Sequence, residues 1–417
     1  MNKNKVETPR FQSIPGSPGR KPRIVLYSHD TLGYGHLRRN MLLAGALKKC
    51  GGAPDILLIA GMREAGAFEM PPGVDCVSLP AYSKDNKGEY AARDLSTGLD
   101  DLRKIRAATI RAAVQSFAPD LMIVDNVPRG AQYELDPTLK SLRKKRQTRM
   151  ILGLRDVIDD PAATRREWLR QRNFEALKDF YSGVWIYGDP EIYDAAREYG
   201  IETALVPSIV YTGYLDQRER LGAEAAQEAY TGLVRGDPRP YVLCSVGGGR
   251  DGVALCNAFA RAPMPSGHRG ILITGSQMSV AHRRQIKLIA AARDDLKVIE
   301  FMREPIVLAA RAAAIVGMGG YNTTSEMLSL GRPALIVPRK GPRQEQLLRA
   351  ERMAGRGFLD MMHPDMLTPS GLGAWISDAV AQRAPRRNAL DMTGLDRVRA
   401  LADEMLDDRG AAIRKFA

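Results

Sequence analysis

The sequence has few residues of the kinds that build disulfides, metal sites or membrane spans. Its 417 residues include four cysteines and five histidines. Cys50, Cys76, Cys244 and Cys256 are scattered without a CxxC pair, which indicates reduced, buried thiols. The histidines show no HxH or HxxxH spacing, and the acids at 156–160 also fit a helix start before a proline, so we expect no metal site. Charged residues or glycines interrupt every apolar run before it is long enough to span a bilayer.

The N-terminal segment also lacks the apolar core of a signal peptide. Residues 1–21 are polar and rich in proline and glycine, so we predict a disordered tail on a cytoplasmic protein. The net charge of +13 indicates an anionic partner: a nucleic acid, a membrane surface or a small substrate. No nucleic-acid-binding motif accompanies the basic residues, which disfavours nucleic acid. Peripheral contact with an anionic inner-membrane face fits the charge.

Short apolar runs alternate with amphipathic helical patterns in two successive series. The runs at 23–29, 55–60, 121–126, 150–155 and 183–189 predict buried strands of a first parallel sheet. A second series contains YVLCSVG, GILIT, KVIEF, AAIVGMG and PALIVP. We therefore predict an α/β protein with two doubly wound, Rossmann-like domains in tandem.

Composition suggests where these domains meet. The segment VPSIVYTGYLDQ resembles the end of the first domain, and the polar VRGDPRP leads into the second series of strands. We place the N-terminal domain at 22–217, the C-terminal domain at 218–395 and a helix or tail at 396–417. Ligands of such sheets bind at the carboxyl ends of the strands, so the glycine-rich loops found there are the candidate sites.

The first of these loops, SHDTLGYGHLRRN, directly follows the first strand. Gly33 and Gly35 permit a tight turn and close approach of a ligand to the backbone. Arg38 stands where a dinucleotide fingerprint requires its third glycine, so that fingerprint is absent. His36 lies near a helix N-terminus, where a neutral imidazole can act as a general base. An equally good interpretation is a histidine that caps or packs against the helix.

Two further glycine loops lie in the second series. SVGGGRDG places Gly247, Gly248 and Gly249 between a strand and a helix, where backbone N–H groups can cradle a phosphate. A sharp strand-to-helix turn without any ligand could also use them. In GMGGYNTTSEMLSLGRP, Glu326 lies one turn into a helix, where its carboxylate can accept both hydroxyls of a ribose. Thr323 and Glu326 also fit a capping box, which would make Glu326 a capping residue only.

Taken together, the three loops resemble GT-B glycosyltransferases, especially family 28. That family includes the lipid-linked N-acetylglucosaminyltransferase of peptidoglycan synthesis and the glycolipid galactosyltransferases. The resemblance extends from about residue 22 to 395 and is most specific in the C-terminal half. It implies two Rossmann-like domains that face each other across a cleft. It also implies transfer of a sugar from a nucleotide-diphosphate donor, expected to be a UDP-sugar, to a glycan, glycolipid or other hydroxyl acceptor.

The resemblance assigns residues to the donor site. The triple glycine corresponds to the family's phosphate loop, Phe301 to its base-contacting loop, and Glu326 to its ribose-binding acid. The predicted donor site consists of Gly247, Gly248, Gly249, Phe301, Gly319, Gly320, Thr324, Ser325, Glu326, Glu345 and Gln346. GT-B enzymes generally neutralise the leaving diphosphate with helix dipoles and basic side chains, so the resemblance implies no metal or other cofactor.

In the N-terminal half, GYGHLRR resembles the family's acceptor-side loop, with His36 as the candidate catalytic base. It is closer still to the nucleotide-sugar hydrolase of pseudaminic acid synthesis, in which the histidine activates water. The residues predicted on the acceptor or phosphate side are Gly33, Gly35, Arg38, Asn126 and Arg129, with Asp125 beside them at a strand end.

The acceptor distinguishes the remaining alternatives. Extra material at 61–118 and 127–181 can form an acceptor pocket, which favours transfer to a hydroxyl. A nucleotide-sugar hydrolase or epimerase would need no such pocket. A partner protein that only binds nucleotide sugars or polysaccharide is the third alternative.

Overall fold

The computed structural model describes residues 20–29, 34–84, 89–204, 206–222, 224–381 and 390–414. Most of the predicted tail therefore lies outside the described residues. The strands are β1 (Arg23–Ser28), β2 (Asp55–Ala60), β3 (Val74–Ser78), β4 (Tyr82–Lys84), β5 (Tyr90–Ala92), β6 (Leu121–Asp125), β7 (Arg149–Arg155), β8 (Gly183–Tyr187), β9 (Ile209–Tyr211), β10 (Tyr241–Ser245), β11 (Arg269–Ile273), β12 (Leu296–Ile299), β13 (Ala314–Gly317), β14 (Ala334–Ile336) and β15 (Asp360–Met361).

The helices follow the strands in alternation. They are α1 (Gly35–Leu47), α2 (Leu99–Phe117), α3 (Asp136–Lys145), α4 (Pro161–Arg170), α5 (Asn173–Phe180), α6 (Ala195–Tyr199), α7 (Glu224–Val234), α8 (Val253–Arg261), α9 (Val280–Ala291), α10 (Ile306–Ala309), α11 (Tyr321–Leu330), α12 (Glu345–Ala354), α13 (Pro369–Ala381) and α14 (Gly394–Arg414). Within the described ranges, no helix has the length and hydropathy needed to cross a membrane.

Two parallel sheets organise these elements, which confirms the predicted doubly wound architecture. The first has the order β3-β2-β1-β6-β7-β8-β9 and the second the order β12-β11-β10-β13-β14-β15. The central strands β1, β6 and β10 are buried except for one end residue in each of β1 and β10, because helices cover both faces. The order reverses between β1 and β6 and again between β10 and β13. Each sheet thus has a switch point at which the loops part and leave room for a ligand.

The last two helices pack on different domains. Helix α13 lies against α8 of the C-terminal domain, whereas α14 returns to the N-terminal domain and lies against α1. The Gly51 N–H donates to Asp403 Oδ1 at 2.8 Å, and Arg149 donates to the carbonyl oxygen of Met405 at 2.5 Å. Val398 and Ala402 are fully buried in this contact. The chain therefore passes between the domains twice.

Direct side-chain contacts join the two domains. Arg349 of α12 donates to both oxygens of Asp156, with separations of 2.7 to 3.0 Å, and each side chain is only 1% exposed. Arg349 also donates to the carbonyl oxygens of Val157 and Gly319 at 2.9 and 2.8 Å. Asp156, one of the closely spaced acids in the sequence, is thus the partner of a buried interdomain ion pair.

Candidate functional site

His36 is the second residue of α1, at the switch point of the first sheet. Its Nδ1 lies 2.5 Å from Oδ2 of Asp125, the last residue of the neighbouring strand β6. Arg39, one turn further along α1, donates to both oxygens of the same carboxylate at 2.7 Å. The residue that caps α1 is Tyr34, without a side-chain cap bond, so His36 is held by Asp125 and not by capping.

Burial and the neighbouring charges together determine the ionisation of Asp125. Asp125 is 2% exposed, and burial alone would raise its pKa, but Arg39 and His36 outweigh burial and lower the pKa below its usual range. A carboxylate that stays ionised accepts a proton from Nδ1, which leaves the lone pair of the imidazole on Nε2. The role of His36 as a catalytic base stays a prediction.

The Asp125–Arg39 pair is a feature of the candidate site that the sequence analysis missed. Asp125 was predicted only as an acceptor-side residue at a strand end, and Arg39 was not singled out. Their contact depends on β6 lying next to β1, with Tyr27 opposite Val124 in the register. The strand order of a parallel sheet is not visible in the strands themselves, so the only available signal was an acid at the carboxyl end of a buried strand.

The triple-glycine loop between β10 and α8 packs against the loop after β11. Gly247 and Gly249 have φ angles of +63° and +91°. A Cβ on Gly249 would lie 2.1 Å from the Thr274 carbonyl oxygen, and one on Gly275 would lie 2.4 Å from backbone atoms of Gly248. Close backbone packing thus requires glycine here whether or not a phosphate binds.

We expect Gly249→Ala to lower the free energy of unfolding by about 1 to 3 kcal/mol, because both φ and the carbonyl contact oppose a side chain. Gly247→Ala is expected to lower this free energy by only about 1 to 2 kcal/mol, from conformational strain alone, since no atom lies within 4 Å of its Cβ. Gly232→Ala, exposed on α7, is the neutral or stabilising control. If chemical denaturation gave equal losses of unfolding free energy for the substitutions at 247 and 249, the contact with the Thr274 carbonyl oxygen would be unimportant.

The glycines after β13 lead into α11. Gly320 caps this helix with an extended backbone. A Cβ on Gly319 would lie 2.8 Å from the Gln346 carbonyl oxygen, so this loop touches the start of α12. The side chains of Thr324 and Ser325 are buried in the domain. Donor contacts by these glycines, Thr324 and Ser325 stay predictions. The hydroxyl groups of Thr324 and Ser325 could contact a donor only if the packing around them opened.

Glu326 does not form the capping box that its spacing suggested. Helix α11 begins three residues before that pattern requires, with Gly320 as its cap. Glu326 accepts instead from Arg220 at 2.6 Å, and Arg220 also donates to Glu304 at 2.5 Å. Arg220 lies in the short 3-10 segment Gln217–Gly222 that links the domains.

Arg38 reaches the same cluster from the N-terminal domain. It donates to the carbonyl oxygen of Arg303, and burial followed by the charge of Arg220 lowers its pKa. The predicted phosphate-side arginine and the predicted ribose acid therefore lie near each other, beside the interdomain linker. Gly35 makes a further contact here, since its carbonyl oxygen accepts from Asn322 at 2.8 Å. Gly33 lies outside the described residues.

The other predicted donor residues differ in exposure, from the buried Glu345 to the exposed Phe301. Glu345 begins α12 and accepts from Arg339 at 2.7 Å. Burial raises the pKa of Glu345, but Arg155 and Arg339 outweigh it and hold the pKa below its ordinary value. The Gln346 side chain accepts from the Arg339 N–H at 3.3 Å. Phe301 follows β12, is 46% exposed, and its ring lies 6.2 Å from that of Tyr34.

Asn126 and Arg129, predicted on the acceptor side, differ in what holds them. Asn126 is buried with φ +64°, and its Oδ1 has no hydrogen-bond partner among the described residues. The guanidinium of Arg129 binds Asp136 and the carbonyl oxygen of Gln171 at 2.7 Å, so it is engaged within its own domain. Acceptor contact by either residue stays a prediction.

The closely spaced acids at 156–160 each bind protein groups. Besides the pairing of Asp156 described above, Asp159 accepts from the Gln344 N–H at 2.7 Å. Asp160 caps α4 by accepting from the Ala163 N–H at 2.8 Å, which is the helix-start role that the sequence allowed. Over the described ranges, no group of three or more His, Cys, Asp or Glu side chains could hold a metal ion.

Comparisons with known proteins give a fold. No protein-family model and no curated protein sequence matches the chain. UDP-GlcNAc 2-epimerase from Neisseria meningitidis, bound to UDP-GlcNAc, is 13% identical with a TM-score of 0.62 over 93% of this chain and 99% of its own. The calicheamicin glycosyltransferase CalG4 is 14% identical, with a TM-score of 0.53 over 95% and 96%.

UDP-glucose:anthocyanidin 3-O-glucosyltransferase in complex with UDP is 11% identical, with a TM-score of 0.57 over 95% of this chain and 98% of its own. The chain has the GT-B fold. Enzymes named as transferases and as epimerases share this fold with it, so GT-B architecture leaves the reaction to be argued from the site. The contact between Asn322 and Gly35 places the start of α1 beside α11, the helix that follows the glycines after β13.

Proposed function

We propose that the protein transfers a glycosyl group from a nucleotide-diphosphate sugar to the hydroxyl group of an acceptor. The observation that carries this proposal is the 2.5 Å contact between His36 and Asp125 at the first switch point. It supplies an oriented base on the side of the cleft opposite the glycine loops of the C-terminal domain. A base in that position can take the proton that leaves an acceptor hydroxyl.

The proposed step is a displacement at C1 of the donor sugar. The acceptor oxygen forms a bond to C1 and gives its proton to His36 Nε2. The bond between C1 and the β-phosphate oxygen breaks, and its electron pair leaves with the nucleoside diphosphate. Asp125 remains a carboxylate throughout and stabilises the imidazolium. The N-termini of α8 and α11 are the groups that would stabilise the departing diphosphate.

We infer that the donor is a UDP-sugar and the acceptor a glycan, a glycolipid or another hydroxyl compound. Two of the solved structures with this fold contain UDP or UDP-GlcNAc, which supports a uridine nucleotide. The net charge of +13 supports a cytoplasmic enzyme in peripheral contact with an anionic inner-membrane face. It does not favour a role in nucleic-acid binding, for which the sequence has no motif.

The TM-score of 0.62 to an epimerase favours one second candidate, a reaction on the nucleotide sugar without an acceptor. Hydrolysis by a water molecule that His36 activates belongs to the same class. Product analysis separates these reactions: free sugar indicates hydrolysis, an isomeric nucleotide sugar indicates epimerisation, and a new glycoside indicates transfer.

The test is a thermal-shift titration with UDP, GDP and dTDP, followed by incubation of the matching sugar donor with and without membrane extract. We expect UDP to raise the melting temperature by mass action and the extract to give a labelled glycoside. A protein that no nucleotide stabilises would contradict the donor site. Binding without any product, in wild type and His36→Ala alike, would indicate a binding protein instead.

Glu326→Gln is expected to weaken UDP binding about 10-fold, because a neutral amide cannot accept from both ribose hydroxyls as the carboxylate does. Glu304→Gln is the matched control, since Glu304 shares the same partner, Arg220, without a predicted ligand role. Calorimetric titration of both variants measures the difference. Equal weakening by the two substitutions would mean that Glu326 acts only through Arg220.

A further inference from the structure

Arg220, on the segment Gln217–Gly222 that links the domains, is held by more than its contact with Glu326. Its Nε and Nη2 both donate to Oε2 of Glu304, at 3.0 and 2.5 Å, and its Nη1 donates to Oε1 of Gln217 at 3.0 Å. The Arg220 side chain is 11% exposed. A planar guanidinium bound on two of its edges has little freedom to rotate. The contacts with Glu304 and Gln217 would therefore hold Arg220 in place without Glu326.

The segment that carries Arg220 is itself fixed to α11, the helix of Glu326. The Gln217 N–H donates to Oγ of Ser329 at 2.9 Å, and Gln217 is buried. Ser329 follows Glu326 by three residues, so the segment contacts α11 within one turn of the predicted ribose acid. The distance between Arg220 and Glu326 is thus set by backbone as well as side-chain contacts.

Only one oxygen of the Glu326 carboxylate is held by this arrangement. Oε1 accepts from Arg220 at 2.6 Å, whereas Oε2 accepts no hydrogen bond within the described ranges. The Glu326 side chain is 14% exposed. An ionised carboxylate has about four lone-pair sites, so the contact with Arg220 leaves acceptor capacity for hydroxyl groups. Because the carboxylate is already immobilised, a ligand that binds its free oxygen causes little further loss of side-chain entropy.

Resting on the proposed transferase function, we propose that Arg220 is a positioning residue of the donor site, which orients the Glu326 carboxylate toward the 2′-hydroxyl of a ribonucleoside diphosphate. Displacement of Arg220 by the ribose is the less suitable arrangement, because Glu304 and Gln217 keep Arg220 beside Glu326. Since Arg220 belongs to the interdomain segment, recognition of the ribose depends on the contact of that segment with α11.

The test compares UDP with 2′-deoxy-UDP in calorimetric titrations of the full chain. We expect wild type to bind UDP about 10-fold more tightly, because the deoxy compound cannot donate to the positioned carboxylate. In Arg220→Met this preference is expected to fall to about twofold or less, mainly through weaker binding of UDP. A purely structural defect would weaken both nucleotides alike and leave the ratio of their affinities unchanged.

Three further variants accompany Arg220→Met. Arg218→Met removes the same charge from an exposed side chain of the same segment, whose partner is Asp216, and is expected to keep the wild-type preference. Arg220→Lys keeps the charge without the planar fork and is expected to show an intermediate preference, which also serves if Arg220→Met does not fold. The double variant Arg220→Met/Glu326→Gln is expected to show no lower preference than either single variant. Thermal melts verify folding of each.

Three results would overturn the inference. One is an unchanged preference for UDP in Arg220→Met and Arg220→Lys, and another is equal binding of UDP and 2′-deoxy-UDP by wild type. The third is tighter binding of UDP by Arg220→Met, which would make Arg220 a competitor of the ribose. Wild-type protein that binds neither nucleotide would contradict the proposed function as well, whereas equal binding of the two would contradict only the positioning role of Arg220.

Discussion

Replacing His36 with alanine is expected to lower kcat by about 10²- to 10⁴-fold, the usual contribution of a general base. The affinity for UDP is expected to stay within about twofold of wild type, because the role proposed for His36 concerns the acceptor and not the donor. Steady-state rates with labelled donor and membrane extract, together with UDP titration, measure the two quantities. A kcat that survives the substitution would show that His36 is structural.

Asp125→Asn tests the same pair from its other side. An amide cannot stabilise the imidazolium or hold the Nδ1–H tautomer, so we expect a loss comparable to that of His36→Ala. The double variant is expected to lose little more than His36→Ala alone, since the two residues act as a unit. Arg39, 3% exposed, would lose its buried carboxylate, so the stability of Asp125→Asn must be measured in parallel.

Arg349→Met is expected to lower the free energy of unfolding by about 3 to 5 kcal/mol, because it leaves Asp156 as an unpaired buried charge. Arg352→Met, at an exposed position of the same helix, is the control, with an expected change within about 0.5 kcal/mol. Chemical denaturation followed by circular dichroism and by tryptophan fluorescence measures both.

The double variant Arg349→Met/Asp156→Leu separates charge from packing. Removing both charges together leaves neither one unpaired, so we expect it to be more stable than Arg349→Met alone. If the double variant were the less stable of the two, the ion pair itself would be a net source of interdomain stability.

The fold was accessible to sequence analysis because continuous apolar runs mark strands that are buried on both faces. The runs at 121–126 and 183–189 became β6 and β8 with every residue of those strands buried. Strand β3 was not predicted, since it lies at the sheet edge and only Val74 of its five residues is buried. The hairpin β4–β5 was also missed, because three-residue strands are too short to show a period.

Sequence analysis could locate only the loops of the candidate site. Glycine runs after strands are local patterns, so the three loops could be located by inspection. The partners of the functional side chains are distant in sequence, 89 residues for His36 with Asp125 and 106 for Arg220 with Glu326. Their pairing follows from strand order and from the linker path, neither of which is encoded locally. The capping-box pattern of Thr323 and Glu326 even gave a wrong prediction, because α11 begins earlier, after the extended backbone of Gly320.

The return of α14 to the N-terminal domain determines the order in which the protein can be completed during synthesis. Leu395, Val398 and Ala402 fill part of the N-terminal core, yet they are made after the whole C-terminal domain. A ribosome-bound chain that ends at residue 217 must therefore keep an apolar surface exposed along α1. Pulse proteolysis of stalled chains would show the N-terminal domain becoming resistant only when residues 394–406 have left the exit tunnel.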